Sequence, residues 1–127
     1  MCLITTTPIP KIADKDIVCY KIVKRTKIKG VYKASFQEFE YIIRQLYTNN
    51  IKIEFSYKLI KSKTIFRYFI EEGMFHSYVS NLNPILSPLP HCALLKCIIP
   101  KGAYYYEGYF DDAPNYASSQ IKILEEI

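Results

Sequence analysis

The fold is decided between residues 97 and 110, which have the sequence CIIPKGAYYYEGYF. An apolar run ends there at a Pro-Lys-Gly turn, in which Gly102 can supply the positive φ of a tight turn. Aromatic residues follow at both odd and even positions, so a strand would place some of them on each of its faces. We predict two antiparallel strands joined by this turn, with part of the second strand exposed as a surface that contacts another protein. The residues of that predicted surface are Tyr104, Tyr105, Tyr106, Tyr109 and Phe110.

The chain is 127 residues long and 50% hydrophobic, which suits one domain that buries its core without metal ions or disulfides. No stretch approaches the roughly 18 to 20 uncharged apolar residues of a membrane helix, and the first residues, MCLITTTPIPKIADKD, do not resemble a signal peptide. We therefore expect no membrane contact and a location in a cytoplasm. In that reducing compartment the four cysteines are most simply buried thiols.

Positive charge is concentrated in the first half of the chain. Residues 1–67 contain 14 Lys and Arg against 5 Asp and Glu, a net charge of +9, whereas residues 68–127 contain 3 against 7, a net charge of −4. In the basic half, KIVKRTKIKGVYK at residues 21–33 combines cations with Tyr32 and is a candidate for contact with a nucleic-acid backbone. Lysine-rich faces are often only solvated, so we rank nucleic acid below protein as the partner.

Alternation and turn residues predict strands along most of the chain. The clearest is residues 51–59, where apolar residues alternate strictly with Lys, Glu and Ser. The other predicted strands cover residues 17–24, 75–80, 93–100, 103–110 and 118–127. Three further segments are a strand or short helix at residues 64–73, a proline-rich loop over the core at residues 81–90 and the polar loop DDAPN at residues 111–115.

One helix is predicted within residues 34–50, ASFQEFEYIIRQLYTNN. Ser35 and Glu38 form an S-x-x-E capping box at its start. The residues at helical spacing are Phe36, Phe39, Ile43 and Leu46. We therefore predict an α+β fold that is mostly β, with two small packed sheets and one or two helices. Residues 1–16 would form an extended N-terminal arm and residues 17–127 a single domain.

No group of residues in the sequence predicts catalysis. His76 and Ser77 are neighbours, but adjacent residues of a strand point to opposite faces and cannot form a direct dyad. His91 and Cys92, with Cys97, provide only part of the four-ligand set that a structural zinc ion needs. We predict no catalytic residue, no metal site and no cofactor, and we favour a protein that is not an enzyme.

Four segments together resemble small uncharacterised proteins of tailed phages and prophages of gut Bacteroides-type bacteria, the crAss-like phages. These segments are DIVCYKIV, EEGMFHSYVS, CIIPKGAYYYEG and YASSQIKILE, and the resemblance is strongest over residues 14–24 and 92–126. The resemblance implies that the protein acts in a phage context, in the host cytoplasm or within the virion. It implies no particular activity.

A more distant similarity is to the arginine-serine-glutamate branch of the ADP-ribosyltransferase fold. It is carried by an opening strand with a basic residue, a strand with a central serine, an IP-G turn and a closing strand. The similarity implies a nucleotide cleft formed by Tyr20, Lys21, His76 and Ser77, beside Tyr104. It also implies that Gln120 and Lys122 stand where the family has glutamates. An amide and an ammonium cannot stabilise a cationic ribose, so the implied site binds without catalysing.

From the sequence we predict a non-enzymatic phage accessory protein that acts through protein–protein contacts. Two alternatives stay open. One is a nucleotide- or NAD-binding domain of the ADP-ribosyltransferase type that has lost its activity, and the other is a structural component of the virion. Self-association into a homo-oligomer is compatible with the first prediction and with the last alternative.

Overall fold

The computed structural model describes residues 3–5, 9–34, 39–48, 54–60, 63–70, 75–81, 91–110 and 113–127. These residues form thirteen β-strands. The first seven are β1 (Leu3–Thr5), β2 (Lys11–Ile12), β3 (Ile17–Arg25), β4 (Val31–Ala34), β5 (Glu40–Ile42), β6 (Leu46–Thr48) and β7 (Glu54–Ile60). The other six are β8 (Lys63–Ile70), β9 (Phe75–Tyr78), β10 (Cys92–Ile99), β11 (Tyr104–Phe110), β12 (Ala113–Ser118) and β13 (Gln120–Glu126).

The prediction of an α+β fold with two small sheets is wrong. The described part of the chain contains no helix, and all thirteen strands belong to one antiparallel sheet in the order β6-β13-β10-β3-β9-β12-β11-β1-β8-β7, with β2, β4 and β5 paired beside it. Its best-paired neighbours, β3 and β10, run in register from Ile17 opposite Ile99 to Lys24 opposite Cys92. Nor do the described residues include a helix long and apolar enough to cross a membrane.

The predicted helix is replaced by β5, a turn and β6, while residues 35–38 and 49–50 lie outside the described part. The turn contains Arg44, whose φ of 69° interrupts any helix. The rings of Phe39 and Tyr41 are 4.9 Å apart, and those of Tyr41 and Tyr47 are 5.3 Å apart. Packing among these rings and pairing of β5 with β4 therefore outweigh a helical pattern that is weak by comparison.

Several strand predictions are confirmed. They are the strands at residues 17–24, 75–80, 93–100, 103–110 and 118–127, and the part of 51–59 that the structure describes. The ambiguous segment at 64–73 forms a strand as far as Ile70. The polar loop at residues 111–115 is wrong at its end, because Ala113, Pro114 and Asn115 begin β12. Residues 82–90 of the predicted covering loop lie outside the described part.

The turn between β10 and β11 has the predicted form. Gly102 has a φ of 90°, and the N–H of Ala103 donates to the carbonyl of Pro100 at 3.1 Å. Two backbone hydrogen bonds join this turn to the arm, from Gly102 to the carbonyl of Ala13 and from Ala13 to the carbonyl of Ala103. Within residues 1–16, β1 pairs with β11 and β8, and β2 pairs with β11.

The main hydrophobic core lies on one face of the sheet, called here the core face. On β3 this face carries Cys19, Lys21 and Val23, since alternate residues of a strand share a face. The short strands β4, β5 and β6 bring Tyr32, Tyr41 and Tyr47 to the same core. The buried core residues are Ala13, Cys19, Val23, Tyr32, Tyr41, Phe75, Ala93, Leu95, Cys97, Ile99, Ala103, Ile121 and Ile123.

At β9 and β12 the sheet is buried on both faces. Phe75, His76 and Ser77 are consecutive in β9 and all are buried, although neighbouring residues point to opposite faces. Ala117 and Ser118 of β12 are likewise consecutive and buried. This double burial places polar side chains, among them His76, Ser77 and Ser118, in the interior.

Candidate functional site

The predicted interaction strand, β11, contains both core and surface tyrosines. Tyr106 is 1% exposed and lies opposite Ala117 of β12. Tyr105 is half-buried, and its ring packs edge-on against that of Tyr116 at 5.8 Å. These two tyrosines hold the strand in place. The side chain of Phe110 lies outside the described part of the structure.

Tyr104 and Tyr109 are the exposed tyrosines of this strand, at 48% and 60%. They lie near its two ends and on opposite faces, because they are five positions apart, an odd number, and alternate residues of a strand share a face. Tyr104 stands directly opposite Ile12 of β2, which is 61% exposed. We call Ile12 and Tyr104 the apolar patch. It brings two large, solvent-exposed side chains together from positions 92 residues apart in the sequence.

The sequence does not identify Ile12 as a site residue, because it predicts residues 1–16 only as an extended arm. Pairing of β2 with β11 places it on the sheet. Its neighbour Lys11 makes an ion pair of 2.8 Å with Glu107, and this hydrogen-bonded carboxylate raises the pKa of Lys11. An isoleucine after a proline-rich segment has no periodic pattern around it, so no local signal could have identified its exposure.

The four residues of the predicted nucleotide cleft do not face one cavity. Lys21 and Ser77 lie on the core face, whereas His76 lies on the opposite face. Tyr20 shares that opposite face and pairs with Tyr78. The sheet itself therefore separates the two pairs of side chains that the resemblance groups together. Gln120 and Lys122 are on β13, two strands from β3.

Lys21 is an interior lysine, 9% exposed. Its Nζ donates to the backbone carbonyl of His76 and lies 5.0 Å from the centre of the Tyr41 ring. A carbonyl dipole and an aromatic face together stabilise an ammonium that has no carboxylate partner among the described residues. The side chain thus links β3 to β9 and to the aromatic residues of β5.

His76 is 7% exposed, and neither ring nitrogen makes a hydrogen bond among the described residues. Burial, reinforced by the Lys21 ammonium and the chain N-terminus, lowers the pKa of this histidine to about 4. The imidazole is therefore neutral at neutral pH. On the same face, the side-chain amide oxygen Oδ1 of Asn115 is also buried without a partner in the described part.

The buried serine and cysteines are poor nucleophiles. Burial raises the pKa of Cys19 to about 11, despite the nearby Ser77 hydroxyl and Lys21 ammonium, and also raises the pKa of Cys97. Ser77 Oγ lies beside the Cys19 thiol but makes no hydrogen bond of standard geometry among the described residues. Because the thiolate is the reactive species, both thiols are suited to packing.

The three residues considered as zinc ligands differ in their burial and do not lie together as the ligands of one metal ion do. His91 is exposed in a turn, Cys92 is half-buried and Cys97 is fully buried in the core. Within the described ranges, no three His, Cys, Asp or Glu side chains are close enough to hold a metal ion.

No protein-family model matches this chain, and no significant similarity links it to a curated protein or to a solved structure. The resemblances to phage proteins and to ADP-ribosyltransferases therefore stay predictions. The features of the described residues that suit binding are the exposed apolar patch and the charged surfaces.

Proposed function

We propose that this protein is a non-enzymatic accessory protein that acts by binding another protein. The observation that supports this proposal is the apolar patch, in which Ile12 and Tyr104 lie directly opposite each other and are each about half exposed or more. Tyrosine contributes a large contact area at a low entropic cost, which is why it is common at the centres of protein interfaces.

A different protein is a better occupant of the patch than a second copy of this chain. The patch lies on β2, a two-residue strand that follows Pro10 and carries the ion-paired Lys11. Short edge strands, prolines and charged residues all disfavour pairing between the edges of two copies. The partner would instead cover the side chains of Ile12 and Tyr104 with an apolar surface of its own.

The proposal is tested with the variant Ile12→Ser/Tyr104→Ser and the control Ile42→Ser/Leu46→Ser, which changes two exposed aliphatic residues on β5 and β6. Proteins captured from the host by the wild type are purified, and their affinities are measured by calorimetry. We expect the double variant to bind at least about 30-fold more weakly, as the loss of roughly 2 kcal/mol at an interface centre implies. The control should bind like the wild type.

Two results would contradict the proposal. The first is a set of captured proteins whose affinity is the same for the double variant and the wild type. The second is self-association in analytical ultracentrifugation that the double variant abolishes, because it would assign the patch to a second copy. Circular dichroism of each variant shows whether the fold is retained.

A further inference from the structure

The hairpin formed by β3 and β4 carries an unusual amount of unpaired positive charge. We call residues 24–33 the basic hairpin. Arg25 has a carboxylate partner, Glu126 at 3.0 Å, and also donates to the carbonyl of Cys92. The four lysines of the hairpin are exposed and make no ion pair with any residue that the structure describes. They are Lys24, Lys27, Lys29 and Lys33.

Two of these lysines oppose each other in the sheet. Lys24 and Lys33 are register partners on β3 and β4. Like charges directly across an antiparallel pair destabilise it, and only Glu40, the next partner of Lys33, places a carboxylate near them in the register. Because this pair of like charges weakens the fold, its presence is better explained by an external anion that the two lysines bind.

The tip of the hairpin has a defined backbone. Thr26 Oγ1 accepts from the N–H of Ile28 at 3.2 Å and donates to the carbonyl of Val31 at 2.7 Å. Gly30 has a φ of 84°, and its carbonyl accepts from Ile43 at 3.1 Å. The backbone that carries Lys27 and Lys29 is therefore held in one arrangement before any ligand arrives, which reduces the entropic cost of binding.

We propose that the basic hairpin binds the phosphate backbone of a nucleic acid. The cations lie both on the paired strands, at Lys24 and Lys33, and at the tip, at Lys27 and Lys29, so a hairpin lying along a nucleic-acid strand meets more than one phosphate. A membrane touched by the tip would meet only Lys27 and Lys29. Ile28, 67% exposed between those two lysines, is positioned to contact a base, as apolar wedges do in nucleic-acid complexes.

Fluorescence anisotropy with a labelled mixed-sequence DNA oligonucleotide, single-stranded and duplex, tests this inference. The full chain should bind with a Kd of about 1 to 100 µM at physiological salt, as sequence-independent contacts do. Lys27→Ala/Lys29→Ala should weaken binding about tenfold or more. It should also reduce the slope of log Kd against log salt by about 1.4 on the single strand, at about 0.7 per phosphate contact. The matched control is Lys15→Ala/Lys101→Ala, which removes two exposed lysines elsewhere and should change the Kd less than about twofold.

A second variant separates binding from folding. Lys24→Glu replaces a like-charge pair by an opposite-charge pair, so the melting temperature should rise while the affinity for DNA falls about fivefold or more. A variant that binds less because it is misfolded would instead show a lower melting temperature together with the lower affinity.

Three results would overturn the inference. They are the absence of salt-dependent binding to either form of DNA, an equal loss of affinity in the Lys15→Ala/Lys101→Ala control, and unchanged binding by Lys24→Glu. Sedimentation with phosphatidylserine vesicles distinguishes the other polyanion. Binding to these vesicles without binding to DNA would assign the basic hairpin to a membrane surface and remove nucleic acid as its ligand.

Discussion

Cys19 and Cys97 lie directly opposite each other on β3 and β10, and both are fully buried on the core face. Burial raises the pKa of each thiol, and that of Cys19 reaches about 11. Both cysteines are free in the structure. They act as small apolar residues that let the two most extensively paired strands lie under the aromatic side chains of the core.

The first prediction concerns the reactivity of these thiols. In a Cys2→Ser background, which removes the cysteine outside the described residues, iodoacetamide should modify the half-buried Cys92 of the native protein. Cys19 and Cys97 should react only when the chain unfolds, because they are buried and stay protonated. Peptide mass spectrometry after timed labelling measures this. Native-state labelling of Cys19 at a rate similar to that of Cys92 would show that the core face is open.

The second prediction is that His76 makes the fold sensitive to acid. Its pKa is about 4 in the folded state and near 6.5 in the unfolded chain, so the unfolded chain takes up the proton first as the pH falls. The stability that the neutral His76 side chain allows is complete above about pH 6.5. It is lost as the pH falls from there to about pH 4. At roughly 1.4 kcal/mol per pKa unit, this histidine should remove about 2 to 3 kcal/mol of unfolding free energy between pH 7 and pH 4.5. Urea denaturation at the two pH values measures the loss.

The control for this prediction is the exposed His91, since His91→Gln should leave the acid sensitivity as it is. His76→Gln should reduce it, whatever its effect on stability at pH 7. Lys21→Met should also reduce it, because the Lys21 ammonium contributes to lowering the pKa of His76. Equal acid sensitivity in the wild type and in His76→Gln would contradict the assignment.

The third prediction separates the two functions of β11. Tyr106→Ala should cost about 3 to 5 kcal/mol of unfolding free energy, because it leaves a cavity where a fully buried ring was packed. Tyr104→Ala should change this free energy by less than about 0.5 kcal/mol, as an exposed position allows. Thermal and urea denaturation of the two variants provide the comparison. Similar losses would mean that Tyr104 belongs to the core and would also weaken the proposed docking patch.

The fourth prediction concerns the cost of the basic hairpin. Lys24→Glu should raise the unfolding free energy by about 0.2 to 1 kcal/mol, because it places opposite charges across the β3–β4 register. The gain should shrink in high salt, which screens exposed charges. Lys15→Glu, at an exposed position outside the sheet, is the matched control and should give no such gain. A destabilised Lys24→Glu variant would show that the lysine pair is not a source of strain.

Much of the strand content could be predicted because its signals are local. Each signal lies within a few neighbouring residues: the alternation at residues 51–59, which forms a strand from Glu54 onwards, and the Pro-Lys-Gly turn that ends at Gly102. The helix failed for the opposite reason. The spacing of Phe39 and Ile43 also suits a strand, and the choice was made by ring contacts with Tyr47 and Phe75, which local spacing does not contain.

The candidate sites also divide into features with a local signal in the sequence and features that depend on contacts between distant residues. Lysines of the basic hairpin were noticed from sequence as a charged run, but their opposition at Lys24 and Lys33 depends on the strand register. Exposure of Ile12 depends on a partner 92 positions away. The proposed cleft joined His76 and Ser77 to Lys21, and only the sheet shows that these residues are divided between two faces.

By itself the sequence determined that this chain forms strands, where six of the thirteen described strands run and which turn joins β10 to β11. These properties follow from backbone preferences and from alternation over a few residues, so they are present before any tertiary contact forms. Tertiary structure alone decided that the strands join one sheet, that β9 and β12 are buried on both faces, and which of the neighbouring tyrosines reach solvent. Burial depends on what packs above each face, and the packing residues come from distant parts of the chain.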